Sequence, residues 1–184
     1  ASSNNKRLIA LLGMLRCSYN IDEQTKTIEV ATSLIEEPNI DSIIRNEALY
    51  CRAKVYIKNK QFGLAVVDLN SVAKEVRTAQ GAEAKYLLAE CYYQLNAIDT
   101  AEQEIMSFTQ QQTSHQYWLA KSLILLADIN VTRNELFQAK QYLLALQKNY
   151  RVQDDVQTTI NEKLELINQL EIQQTNDTTQ IQQL

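Results

Sequence analysis

The chain is poor in the residues that turn a backbone sharply: 184 residues include only 3 Gly and 1 Pro. So few turn formers exclude a fold of many tight β-hairpins, which draw on Gly and Pro at their corners. Histidine is scarcer still. His115 is the single one, so every Ser-His-Asp or Cys-His nucleophile system would depend on it, and it lies in the linker 110–116, which reads as a surface or capping position. Cys17, Cys51 and Cys91 are odd in number, far apart and without CxxC spacing, which argues against a disulfide framework and a thiolate metal site and predicts reduced, buried thiols. No basic stripe is present: the net charge is −4, the pI near 5.1, and Lys and Arg are scattered among carboxylates, so the electrostatic footprint of a nucleic-acid binder is missing. Neither HExxH, GxxxxGK[ST] nor GxGxxG occurs, and Gly13, Gly63 and Gly81 stand alone, which excludes phosphate-cradling loops. Glu36 with Glu37, and Asp154 with Asp155, lie near helix ends and read as solvated or capping pairs. The expectation is a protein without catalysis, cofactor or metal.

Long apolar runs are also lacking, so no segment is predicted to cross a membrane. Leu8 to Leu15 behind Lys6 and Arg7 imitates a signal-peptide core. It is short, and Arg16 stands where a cleavage site needs a small residue, so it is read as a first core helix. The start at Ala1 lacks an initiator Met and reads as a cut boundary.

What is abundant favours helix. Hydrophobic residues make up 45% of the chain, enough for a sizeable core, and Leu, Ala, Glu, Gln and Lys are plentiful. Self-comparison shows a period. Ala53 and Ala65, Ala89 and Ala101, Ala127 and Ala139 share one separation, and successive pairs are spaced in the range of solenoid repeats, roughly 20–50 residues. After each first alanine a second apolar stripe follows in steps of three and four: Phe62, Ala65, Leu69, Val72; Ile98, Ala101, Ile105, Phe108; Leu136, Ala139, Leu143, Leu146. That is one face of a helix. The stretch before it is helical too, so each unit is a helix pair. Small residues at the crossing let two helix axes approach to about 8–10 Å, where a Leu would wedge them apart. Asn59–Lys60, Asn96 and Asn134 mark the turns, where a left-handed residue is needed and Asn substitutes for Gly.

With Phe62, Ile98 and Leu136 three residues before each second alanine, this pattern resembles the tetratricopeptide repeat, over residues 46–149. The upstream segments 8–19 and 21–37 resemble a degraded unit in which Gln24 or Thr25 replaces the second alanine, ending at Pro38. The predicted fold class is all-α: helix pairs over 5–37, 40–77, 80–112 and 114–149, a capping helix over 152–173 carrying Val156, Ile160, Leu164, Ile167 and Leu170, and an unstructured tail over 174–184. The resemblance implies a right-handed superhelical α-α solenoid whose first helices line a concave, partner-binding face.

Carried over residue by residue, that face comprises Tyr50, Lys54 and Ile57; Tyr86, Glu90 and Tyr93; and Ile124, Asp128 and Val131. Aromatic and charged groups together suit recognition of a peptide or protein; Tyr50 and Tyr86 could equally complete the core. Tyr117 and Trp118 read as inter-repeat packing. One subfamily of such repeats captures a terminal carboxylate with Lys and Asn at the positions of Tyr50 and Lys54, and this sequence departs from it. The expected function is therefore an interaction scaffold, with self-association through solenoid ends as the alternative. The unequal repeats and the Gln, Asn and Thr content resemble the C-terminal part of a larger bacterial envelope-associated repeat protein, which favours the periplasmic side of a cell envelope over the cytoplasm.

Overall fold

Apolar residues in steps of three and four fold as helix throughout. The computed structural model describes the backbone of residues 2–181 and the side chains of 5–175. Within them it has nine helices and no strand: α1 Ser2–Asn20, α2 Gln24–Ile35, α3 Ser42–Lys58, α4 Phe62–Val72, α5 Ala79–Gln94, α6 Ile98–Gln110, α7 Gln116–Thr132, α8 Leu136–Asn149 and α9 Asp155–Ile181.

Four turns of one geometry join α1 to α2, α3 to α4, α5 to α6 and α7 to α8. In each, one residue is left-handed: Asp22, Lys60, Asn96 and Asn134, with φ of 61°, 57°, 58° and 63°. The next N–H reaches back over the helix end: Glu23 to the Ser18 carbonyl, Gln61 to Tyr56, Ala97 to Tyr92 and Glu135 to Asn130, at 2.8–2.9 Å. This is the Schellman arrangement, which satisfies carbonyls that the helix terminus leaves open. Asn serves twice as predicted. In the second unit Lys60, not Asn59, takes the strained position, and in the first unit Asp22 does.

Aligning the units on the left-handed residue also corrects the reading of the first pair. The alanine pairs lie seven residues before and five after it, and counting the same way from Asp22 gives Leu15 and Thr27, not Gln24 or Thr25. Both are completely buried, as are Ala53, Ala65, Ala89, Ala101 and Ala139. A Leu at the first position is thus tolerated: Leu15 packs into a cluster with Val30, Ala31, Leu34, Ala48 and Cys51. The Thr27 hydroxyl is satisfied, donating to the Glu23 carbonyl at 2.9 Å and lying 3.1 Å from the Ser18 hydroxyl.

Each helix packs on the next in sequence, from α1 through α9. The odd helices also touch one another, α1 on α3, α3 on α5, α5 on α7 and α7 on α9, whereas among the described residues no even helix touches another even helix. Apolar clusters follow the same path from Leu15 and Leu34, through Leu69 and Leu88, to Ile105 and Leu126, and end on Leu143 and Ile160.

The linkers are held by specific bonds. α4 ends at Val72, short of the predicted 77, because Val76 turns into the core beside Phe108. Thr113 donates to the Val76 carbonyl at 2.8 Å, and His115 Nε2 lies 3.0 Å from the Arg77 carbonyl. Gly81 opens α5 so close to this loop that a Cβ would stand 2.0 Å from the Glu75 carbonyl oxygen. α9 begins where Asp154 accepts from the Val156 N–H at 3.0 Å, and it runs through Ile181, beyond the predicted end at 173. Of the tail predicted to lack structure, 174–181 is helix and 182–184 lies outside the described residues. No helix is long and apolar enough to cross a membrane among the described residues.

Candidate functional site

The face built by the odd helices is set by residues in fixed rows relative to the first small position (Leu15, Ala53, Ala89, Ala127). The residues one after it are Arg16, Lys54, Glu90 and Asp128, and those six before it in the following units are Glu47, Glu83 and Lys121. Structure brings these rows together across units. Arg16 forks onto Glu47 at 2.6 and 2.8 Å, Lys54 meets Glu83 at 2.6 Å, and Asp128 meets Lys163 of α9 at 2.5 Å. Glu90 and Lys121 continue the matched signs, although there Glu90 accepts from the Tyr86 hydroxyl at 3.1 Å and Lys121 lies 3.5 Å from Asp155. Cations stand in the first-mentioned row for two units and carboxylates for the next two, with the opposite charge waiting on the neighbour each time.

This ladder changes what the predicted site residues can do. Lys54 and Asp128 are ion-paired inside the fold rather than free for a partner, while Glu90 is held only by the Tyr86 hydroxyl. Ile124 is buried, only 5% exposed, in the core with Ala120, Leu143 and Ile160, so a partner cannot touch it. Tyr50, Ile57, Tyr86, Tyr93 and Val131 are half-buried and still present surface. Lys54 Nζ lies 5.8 Å over the Tyr50 ring. Burial first, then the neighbouring Glu83 carboxylate, push the Tyr50 phenol well above its ordinary range. Tyr86 is raised for the same first cause, with Glu90 adding to it, so both phenols stay neutral donors at any ordinary pH. The Tyr86 ring stacks on Trp118 at 5.7 Å, and Tyr117 meets Trp118 edge-on at 4.8 Å, the inter-repeat packing the sequence suggested. Tyr93 bridges units through Thr132, hydroxyl to hydroxyl at 3.2 Å.

Between the first two units this face opens into a cleft of about 480 Å³. Tyr19 and Ile57, which hold the same row in consecutive units, line it with Thr27, while Lys54, Lys58 and Asp22 contribute charge. Lys58 is ion-paired to Asp22 across the two turns. The volume lies within the roughly 300–1,000 Å³ of small-ligand and side-chain pockets, and Tyr19, Val55 and Ile57 give it one apolar wall, against which an apolar side chain could insert, among lining residues that are otherwise polar or charged, Asn20 and Gln24 included. Of the predicted residues only Lys54 and Ile57 reach it. Tyr19 was missed because the first unit lacks the alanine pair; the signal that finds it is Asp22, once that residue is recognised as the turn.

The cysteines divide. Cys51 and Cys91 are buried as predicted, and desolvation pushes both thiols up to about 12. Cys17 is exposed, contrary to the prediction, because its row in α1 has no helix packed over it. The chain matches no family model and no curated protein.

Proposed function

We propose that the chain is a tetratricopeptide-like helix-pair solenoid that coils as a right-handed superhelix and holds a peptide or protein on the face of its odd helices. Support for the curvature comes from the contacts: odd helices touch successive odd helices, whereas among the described residues no even helix touches another even helix, as a bend with the odd helices on its inner side would require. Support for the binding role comes from one observation above others, the half-open cleft walled by Tyr19 and Ile57. Solenoids present extended concave surfaces of this kind to partners.

The ion-pair ladder refines the reading. Arg16, Lys54, Lys121 and Asp128 are ion-paired within the fold and Glu90 is engaged by the Tyr86 hydroxyl, so affinity on this face comes chiefly from half-buried aromatic and aliphatic groups, and the charges at the rim set register and association rate more than strength. The partner segment accordingly carries an apolar anchor, a Leu, Ile or Phe, for the cleft.

The test is capture of protein from a bacterial envelope extract by the immobilised chain, beside a Tyr19→Ala, Ile57→Ala variant whose helicity is verified by circular dichroism. Specific capture by the native chain and its loss in the variant is the expected outcome. Equal capture by both would place binding elsewhere.

A further inference from the structure

The ion-pair ladder of the inner face has one rung that the chain itself does not close. Arg16 meets Glu47, Lys54 meets Glu83 and Asp128 meets Lys163, so three of the four charges in that row are answered by an opposite charge. Glu90 is the fourth. Its counterpart in the next unit, Lys121, lies 3.5 Å from Asp155 instead. Among the described residues the one hydrogen bond to the Glu90 carboxylate comes from a neutral donor, the Tyr86 hydroxyl, 3.1 Å from Oε1. A carboxylate offers about four lone-pair sites, so this bond fills one and leaves the charge uncompensated. Every other described carboxylate without a cation is exposed except Asp154, and Asp154 is accounted for by the Tyr150 hydroxyl and the Val156 N–H that it receives. Glu90 is half-buried, where a cation is held more firmly than at the open surface.

Its neighbours narrow what that cation is. Tyr86 stands four residues before Glu90 and Tyr93 three after, on one strip of α5, and both are half-buried. The Tyr86 ring is backed by Trp118 at 5.7 Å, and the Tyr93 hydroxyl is tied to Thr132 at 3.2 Å, so both rings are held in place. A carboxylate flanked by fixed rings suits a guanidinium, which is planar, pairs through two N–H groups at once and stacks on aromatic faces; an ammonium does neither of the last two as well. Lys54, the cation in the same row of α3, is already answered by Glu83 and adds little repulsion.

We propose that the segment held on the inner face carries an arginine for Glu90, about four residues from the apolar anchor that enters the Tyr19–Ile57 cleft. This rests on the binding face proposed above. The spacing comes from the fold: the cleft lies between α1 and α3 and Glu90 on α5, one and a half helix spacings away. At about 8–10 Å per spacing that is about 12–15 Å, which an extended chain covers in about four residues.

Selection from a random peptide display library tests the proposal on three immobilised proteins of verified helicity: the native chain, Glu90→Gln, and Tyr19→Ala, Ile57→Ala. Glu90→Gln keeps an acceptor for the Tyr86 hydroxyl and removes the charge. The native chain should enrich peptides with a Leu, Ile or Phe and an Arg about four residues from it. On Glu90→Gln the apolar residue should persist and the Arg preference vanish. A synthetic copy of the selected peptide, read by fluorescence anisotropy, should bind Glu90→Gln about tenfold more weakly than native. Changing its Arg to Gln should cost the native chain the same factor and the variant almost nothing. Peptides enriched for the apolar residue without an Arg, or with an Arg preference that survives Glu90→Gln, overturn the proposal and leave the binding face standing. No enriched peptide, or enrichment unchanged by Tyr19→Ala, Ile57→Ala, overturns the reading of the cleft and the anchor spacing with it.

Discussion

Asp68 is 2% exposed on α4, and the Arg52 guanidinium of α3 forks onto it at 2.8 and 2.7 Å. The same guanidinium donates to the Thr32 hydroxyl of α2 at 2.8 Å, so one ion pair ties three consecutive helices. Replacing Asp68 with Ala leaves a guanidinium whose side chain is 16% exposed without its counter-ion. Breaking a fully buried pair costs about 3–5 kcal/mol. Because Arg52 keeps Thr32 and some access to water, we expect about 2–3 kcal/mol here, which for a domain of this size lowers Tm by about 4–12 °C. Arg52 is held above its usual range, chiefly by the hydrogen bond to Asp68. A raised basic group stabilises fully at any pH below its unfolded value, so the Arg52 contribution does not vary between pH 6 and 9. Calorimetric melts of the native chain, Asp68→Ala and an Arg52→Met, Asp68→Leu double variant measure the effect. The double variant should recover to within about 1 kcal/mol of native, since apolar groups of similar volume replace a buried pair at little cost. A single variant that melts within about 2 °C of native, or a double variant as unstable as the single, would refute the argument that the charge left behind, rather than lost packing, is what destabilises.

Three further outcomes follow from local geometry. Gly81→Ala should destabilise by about 1–3 kcal/mol in a denaturant titration, because its Cβ has to displace the Glu75 carbonyl. Lys60→Gly should stabilise by about 0.5–1 kcal/mol in the same assay, by relieving the left-handed Lys60 at a cost in chain entropy smaller than the strain removed. Titration with a thiol reagent at pH 8 should show one fast thiol, Cys17, and two that react only on unfolding. With Cys51 and Cys91 raised to about 12, only about 1 in 10⁴ of each is thiolate at that pH.

The helical state and the spacing of the buried alanines followed from sequence alone. Apolar steps of three and four report which face of a helix is buried, and alanines are the cheapest way to let two helices cross closely, so both leave marks in composition and spacing. Turns were legible where Asn filled the left-handed site and obscure where Lys60 and Asp22 filled it. For that reason the first unit was read out of register and Tyr19 was overlooked. Availability was not legible at all. Whether Lys54 is free depends on Glu83, and whether Asp128 is free depends on Lys163, each on another helix. Ile124 is buried because α8 and α9 close over it, and Cys17 is exposed because among the described residues no helix closes over its row of α1. Burial and pairing are properties of what the rest of the chain packs against a residue, and for this protein only the tertiary structure decided them.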